Sequence, residues 1–308
     1  MNNQNKILDV SVVIPVYNTG KILLETIDSV LNQTFIEFEI ILVNDGSTDE
    51  TTLNILNTIS DSRIKVIHQV NSGVAIARNQ GIKEAKGNYI AFLDHDDLFG
   101  KNKLKKLYDI ISSSSNIVIA YSGISSFGEK INRFCNLKPV VGNKLLKFLE
   151  RNWIYSTSCI IINKKIIETH QIQFDRECVP CDDWDFYIQC AIHGDIVGIE
   201  DILTFYRVHS NNQSSNQIKM YLAGIKVSRK YLEKINSDLL GLNVSKLRLK
   251  VALFKSLSTL HYGLSLQYAI EKNLLQFIFC FIKGFLYNPF SPKIFLFLIK
   301  RIAGIFHC

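Results

Sequence analysis

Between residues 10 and 94 the chain alternates β-rich runs with helix-periodic segments, and that rhythm most constrains its fold. Residues 10–16 form a short β-branched run bounded by Pro15, Asn18 and Gly20. Leu23, Leu24, Ile27, Val30 and Leu31 then recur at helical spacing. Residues 38–43, 64–69 and 89–94 read as further strands, and residues 51–60 and 74–85 as further helices. Strands separated by helices of about ten residues make βαβ units, whose crossovers are almost always right-handed. The expectation is an α/β protein with a doubly wound, Rossmann-like, mostly parallel sheet.

Beyond residue 100 the rhythm changes. A helix is expected over 104–111, strands over 116–124, 157–162 and 202–208, and a helix over 182–193. Residues 125–141 read as a loop or hairpin, and from about 216 onward the helix period dominates. Charge divides the chain at a similar place. Residues 1–209 hold 21 Lys and Arg against 25 Asp and Glu, whereas residues 210–308 hold 14 against 3. The expected division is a catalytic domain over 1–215, with halves at about 8–100 and 101–215, and a helical, basic C-terminal extension over 216–308. The seven cysteines are odd in number and scattered. With no secretory-type leader read in the first residues, they suggest a reduced, cytoplasmic protein.

In a doubly wound sheet, ligands collect outside the carboxyl ends of the strands. Three turns follow those ends: Pro15-Val16-Tyr17-Asn18, Asn44-Asp45-Gly46-Ser47-Thr48-Asp49 and Asp94-His95-Asp96-Asp97. The last places three carboxylates in four residues after the apolar stretch 90–93, where they repel one another unless neutralised. One reading is a solvated turn, with Asp97 and Asn102 capping a helix that starts near Lys101. The other is a divalent-cation site, in which carboxylates hold Mg²⁺ or Mn²⁺ against a substrate diphosphate. His95, between two acids, is expected to be exposed. Neither a Walker loop nor a Gly-x-Gly-x-x-Gly turn follows the first strand, which argues against P-loop ATPases and nicotinamide dehydrogenases. Cys178 and Cys181 have no second pair at zinc-finger spacing, and the adjacent carboxylates disfavour a thiolate.

Four ordered segments resemble the motifs of glycosyltransferase family 2, which has the GT-A fold: residues 12–18, 43–49, 71–79 and 92–97. The resemblance continues through Cys181-Asp182-Asp183-Trp184-Asp185 and Tyr206-Arg207-Val208-His209, so it spans roughly residues 8–215. It implies that Pro15 and Tyr17 line the base pocket and that Asp45 accepts a hydrogen bond from the base. Arg78 would hold the nucleotide, Asp94 would approach the ribose or sugar, and Asn18, Gly73 and His95 would complete the nucleotide-sugar site. Asp96 and His209 would bind Mn²⁺ or Mg²⁺. Asp183 falls on the position of the catalytic base, while Asp182 stands where the family usually has Glu.

Together these imply an inverting enzyme that moves a sugar from a nucleotide-diphosphate sugar, with a UDP-sugar expected, to a hydroxyl of a glycan or lipid-linked acceptor. Cell-envelope polysaccharide assembly is the natural setting. A metal-dependent nucleotidyltransferase is the first alternative, although the loop after the first strand lacks the Gly-rich, basic character such an enzyme needs. The second is a non-catalytic nucleotide-sugar-binding protein, although both a base and metal ligands are present. No nucleic-acid module is recognised in the basic C-terminal region.

Residues 274–308 carry Lys283, Lys293, Lys300 and Arg301 with no acid, and are rich in Phe. The apolar stretch 274–287 is shorter than the ~20 residues a spanning helix needs. An interfacial attachment to an anionic membrane surface is therefore expected, peripheral on the inner face of the cell membrane. Packing on the catalytic domain, or a homodimer interface, is the alternative use of these apolar faces.

Overall fold

Seven consecutive buried residues make β1 (Val10–Val16) an interior strand. It pairs in parallel with β2 (Phe38–Asp45), also buried throughout, and with β4 (Tyr89–Phe92). The strand β3 (Ile64–Gln69) extends the parallel set beyond β2. Three helices complete the first crossovers: α1 (Ile22–Leu31), α2 (Glu50–Thr58) and α3 (Val74–Glu84). The sheet continues through β5 (Leu98–Phe99), β6 (Ile117–Gly128), β7 (Ile160–Asn163) and β8 (Asp195–Val208), in the order β3-β2-β1-β4-β7-β6-β8-β5. β7 is antiparallel to both β4 and β6, whereas β6 and β8 are parallel to each other. Strand order reverses between β1 and β4, so the carboxyl ends of these two strands flank the crevice where such folds bind ligands.

The computed structural model describes residues 8–128, 145–209, 212, 215–237 and 244–291. They belong to two units. One gathers the residues before Leu145 with Trp153–Glu177 and Asp185–Asn212, and the other gathers Leu145–Asn152, Cys178–Trp184 and the residues from Gln213 onward.

In the first unit the period of two along β1 sends alternate side chains to opposite faces. Val10, Val12, Ile14 and Val16 join Leu23, Ile27 and Val30 of α1 and Ile55 and Leu56 of α2 in one core. Leu104, Leu107 and Ile111 of α4 (Lys103–Ile111) belong to it too. Each such side chain, fully buried, contributes roughly 1.5–3 kcal/mol. Val13 points the other way, toward Gly81 of α3, and a Cβ built at Gly81 would lie 2.2 Å from Val13 Cγ1. Any side chain at position 81 would push α3 off the sheet. The doubly wound arrangement follows from these two apolar faces.

The second half of the sheet departs from the sequence reading. β6 continues to Gly128, four residues past the expected end, because its last residues stay paired with β8 from Thr204 to Val208. Residues 125–128, expected to belong to a loop or hairpin, are therefore strand, and the rest of 125–141 lies outside the described residues. β8 begins at Asp195, seven residues before the expected 202, and bulges in its pairing with β6 obscure the alternation there. Thr157–Cys159, expected to be strand, is a 3-10 turn whose preceding Ser156 side chain accepts the Ser158 N–H at 3.0 Å. The short elements α5 (Leu145–Glu150), α6 (Lys164–Thr169) and β5 carry too few residues to leave a periodic signal.

Among its described residues the second unit is mainly helical. α8 (Gln217–Asn236), α9 (Lys246–Ile270) and α10 (Leu274–Tyr287) share a small core of Ile225, Leu257, Leu264 and Cys280. Small residues bring the helices together: Gly263 meets the Tyr221 ring and Gly284 the Tyr262 ring. The opposite face of α10 is apolar yet exposed, with Leu275, Ile278, Phe279, Ile282, Phe285 and Leu286 open to solvent. The part of the expected membrane segment beyond Ser291 lies outside the described residues.

Candidate functional site

Asp94, Asp96 and Asp97 follow directly on β4 and take three different environments. Asp94 accepts from the Arg78 guanidinium at 2.6 Å, in a pair 8% and 28% exposed on the Arg and Asp sides. Thr157 Oγ1 donates to the same carboxylate at 3.3 Å. Arg78 also lies over the Phe174 ring, 5.3 Å from its centroid, and that ring stacks on Phe186. Asn79, the next residue of α3, grips Phe174 through both its backbone N–H and its carbonyl. Arg78 is thus held in one orientation by a carboxylate and an aromatic face.

Asp96 meets His209, just past the end of β8, with Oδ2 2.8 Å from the imidazole Nε2. The His209 backbone N–H donates to Asn212 Oδ1 at 2.6 Å. Two ligands on adjacent corners of an octahedron with bonds of about 2.0–2.1 Å lie about 3 Å apart. A carboxylate oxygen and an imidazole nitrogen at 2.8 Å therefore fit a divalent cation of Mg²⁺ or Mn²⁺ size.

Asp97 is no cap. It is completely buried and accepts from Ser158 Oγ at 2.6 Å and from the Arg207 N–H at 3.0 Å. Burial, reinforced by Asp96 and Asp94, pushes its carboxyl well above the usual carboxylate range. Nearby, Lys103 is also completely buried, its ammonium donating to Ser122 Oγ, Thr204 Oγ1 and the Cys159 carbonyl at 2.8–3.1 Å. Burial pulls it down to about 8. The first turn of α4 follows Asn102, which makes no side-chain cap. His95, expected to be exposed, is half-buried because its Nδ1 lies 3.0 Å from the Pro15 carbonyl, tying the third turn to the first.

The turns after β1 and β2 are knitted together. Asn18 adopts a left-handed backbone at φ 47°, its N–H donates to Ser47 Oγ, and its Oδ1 accepts from the Thr48 N–H at 2.7 Å. Asp45 is buried and accepts from Gln69 Nε2 and from the Ser72 and Gly73 N–H groups at 2.7–2.8 Å. The last two donors start α3, where the helix dipole favours a carboxylate. Gly73 has φ 90° and Gly46 φ 72°, and a Cβ at Gly46 would lie 2.7 Å from Asn71 N. Tyr17, 44% exposed, leaves its ring open to a ligand.

Pro15, Tyr17, Asn18, Asp45, Gly73, Arg78, Asp94, His95, Asp96 and His209 all belong to the first unit, and the bonds above link most of them. Asp183 belongs to the second. There its Oδ2 accepts from Asn152 Nδ2 at 3.1 Å and its Oδ1 from the Trp184 N–H at 2.6 Å. Cys178 and Cys181 are buried, and burial, followed by Asp183 and Asp182, pushes the Cys181 thiol up. The residues that sequence reasoning missed are Thr157, Ser158 and Lys103. The acidic run hinted at Asp97, but nothing local marks a serine in a 3-10 turn.

Comparison with known proteins gives four matches. The family model described as glycosyl transferase family 2 matches residues 11–170. An uncharacterized glycosyltransferase of Rickettsia bellii (strain RML369-C) is 53% identical over 222 residues, covering 70% of this chain but 31% of its own length. The glycosyltransferase GlyG of Streptococcus pneumoniae serotype 4 is 32% identical over 256 residues, covering 78% of this chain and 84% of its own. Among solved structures, S. aureus TarS 1–349 in complex with UDP-GlcNAc superposes with a TM-score of 0.69 at 21% identity, covering 90% of this chain and 81% of that one. At that identity the superposition speaks for the fold.

Proposed function

The chain belongs to glycosyltransferase family 2, and on that premise we propose that it transfers a sugar from a UDP-sugar to an acceptor hydroxyl with inversion at the anomeric carbon. The observation that carries the proposal is the pairing of Arg78 with Asp94 and of Asp96 with His209 beside the carboxyl ends of β4 and β8. The choice of UDP draws on TarS, which is solved with UDP-GlcNAc.

In this reading the exposed Tyr17 ring stacks on the base, and Asp45 orders the start of α3 beside it. Arg78 meets the anionic donor while its own charge is held in place by Asp94. A divalent cation held by Asp96 and His209 would neutralise charge that builds on the leaving diphosphate. Asp183 accepts the proton of the attacking hydroxyl, a role that typically contributes 10²–10⁴-fold. Its support is the Asp182-Asp183-Trp184 motif, with the two hydrogen bonds from Asn152 and Trp184 fixing the carboxylate. A single displacement by the hydroxyl that this base activates gives inversion.

The acceptor we propose is a glycan or a lipid-linked intermediate of cell-envelope polysaccharide, reached by a protein peripheral on the inner face of the membrane. From Lys246 to Cys308 the sequence has nine Lys and Arg and one acid, Glu271. Lys283 Nζ lies 4.0 Å from the centroid of the exposed Phe279 ring, so charge and apolar surface meet on α10 itself. Among the described residues no helix is long and apolar enough to cross a membrane. Such a face suits the boundary between acyl chains and anionic headgroups.

Incubating the purified chain with UDP-, GDP- and dTDP-sugars and Mn²⁺ tests the donor. UDP release from one UDP-sugar is the expected result, and release of GDP or dTDP alone would refute the donor assignment.

A further inference from the structure

Two buried residues, Ser158 and Asp97, join three segments of the site. Ser158 Oγ accepts the Asp94 N–H at 3.0 Å and donates to Asp97 Oδ2 at 2.6 Å. Asp97 Oδ1 in turn accepts the Arg207 N–H at 3.0 Å, two residues before His209, while Arg207 Nε donates to the Asp96 carbonyl at 2.9 Å. The 3-10 turn, the acidic turn after β4 and the end of β8 are therefore pinned to one another. The only link between Ser158 and Asp94 in this chain of bonds is a single hydroxyl. Ser158 and Asp97 are both completely buried, so water does not readily replace that hydroxyl.

We propose that Ser158, with Asp97, is a positioning pair that holds Asp96 at its 2.8 Å separation from His209 and so sets the affinity of the site for a divalent cation. The proposal rests on the metal reading above. Without the Ser158 hydroxyl, the Asp94 N–H and one Asp97 oxygen lose their partner inside the protein. The acidic turn relaxes to recover them, and the two ligands no longer meet at a separation suited to one ion. Groups that orient metal ligands typically contribute 10–100-fold to metal affinity.

The neighbouring Thr204 supplies a control. It is equally buried and donates to the Ser158 carbonyl at 3.3 Å, but it makes no bond to Asp94, Asp96 or Asp97. Thr204→Val disturbs the same core but leaves the Ser158 hydroxyl bonds to Asp94 and Asp97 in place.

The test measures Mn²⁺ binding directly, from the electron paramagnetic resonance signal of free Mn²⁺ in the presence of saturating UDP. The full-length wild type is compared with Ser158→Ala, Ser158→Thr and Thr204→Val, and metal-free thermal midpoints are recorded alongside. Ser158→Ala is expected to weaken Mn²⁺ binding at least ~10-fold. Ser158→Thr, which keeps the hydroxyl, is expected to restore binding to within a few-fold even where its extra methyl lowers the midpoint. Thr204→Val is expected to lower the midpoint and leave Mn²⁺ binding unchanged. In transfer assays the loss in Ser158→Ala is expected to fall on the Mn²⁺ activation constant, with kcat recovered at saturating metal. Wild-type protein that binds Mn²⁺ while Ser158→Ala binds it equally well would overturn the clamp alone. Equal weakening in Ser158→Ala and Thr204→Val would overturn it too, reducing Ser158 to a packing residue. Wild-type protein that binds no Mn²⁺ would overturn the metal reading, and the clamp with it.

Discussion

His209 Nε2 and Asp96 Oδ2 lie 2.8 Å apart although 113 positions separate the two residues in the chain. One arrives at the end of β8 and the other after β4, strands that are not neighbours in the sheet. Asp96→Ala is expected to abolish turnover of the donor and to remove the Mn²⁺-dependent thermal shift seen with UDP, while the metal-free midpoint stays near wild type. His209→Ala is expected to weaken metal dependence less, because a carboxylate brings charge to the ion and an imidazole does not. Full activity of Asp96→Ala, or of wild type in excess chelator, would exclude metal assistance.

Asp183→Asn keeps the shape and the Trp184 contact but cannot accept a proton. Transfer is expected to slow at least ~10²-fold with UDP binding close to normal. Stopped assays with saturating donor, paired with UDP titration calorimetry, separate the two effects. Should Asp183→Asn turn over normally while Asp182→Asn is inactive, the base lies one residue earlier. The anomeric configuration of the product, read by proton NMR, checks inversion independently.

Lys103 makes stability depend on pH in alkaline solution. Burial holds its ammonium near 8 in the folded chain, against an ordinary value of 10.5. Between those values the unfolded chain binds more protons, so folding stability rises with pH, by up to ~1.4 kcal/mol per pH unit. Below about pH 8 the cost of the buried charge is fully present. Lys103→Met should remove this slope. Urea unfolding of both proteins at pH 7.5, 8.5 and 9.5 is expected to show the wild type gaining on the variant as pH rises, and parallel curves would contradict the assignment.

The exposed face of α10 gives a prediction about lipid. Wild-type protein should float with liposomes that contain acidic lipid, less so at high salt, and poorly with neutral lipid. A triple variant, Leu275→Glu, Ile282→Glu and Leu286→Glu, changes only solvent-exposed side chains. It is expected to keep its fold by circular dichroism and its turnover on a soluble acceptor, yet to remain with the unbound protein. Wild-type protein that never floats but elutes as a dimer would assign this face to a second copy instead.

The parallel half of the sheet was legible because β1, β2 and β3 are continuous apolar or alternating runs punctuated by turn residues. β1, β3 and α7 (Asp182–His193) match the expected bounds at both ends. The far half was less so. β8 is bulged, β5 is two residues long, and the 3-10 turn at Thr157–Cys159 lies in an apolar stretch that reads as strand. The acidic turn announced a site through its charge density. The way its three carboxylates divide depends on Arg78, His209 and Ser158, each far away in sequence, and no local pattern carries that. Asp97 shows the limit: an aspartate just before a helix looks like a cap until a serine sixty-one positions away is found beneath it.

The close seat of α3 on β1 has a consequence for anyone who would re-engineer the donor site. Gly81 lies one turn of helix from Arg78, and a methyl group there would meet Val13 at 2.2 Å, so its lack of a side chain sets how deeply α3 sits. Position 81 therefore acts as a stop that sets how far the guanidinium reaches toward Asp94. A side chain at position 81 alone lifts α3, and Arg78 with it, away from β1, whereas pairing it with Val13→Ala on the other side of the contact lets the helix settle back. A search that varies only the side chains lining the cleft would never reach that solution, because the adjustment is made in the floor beneath it.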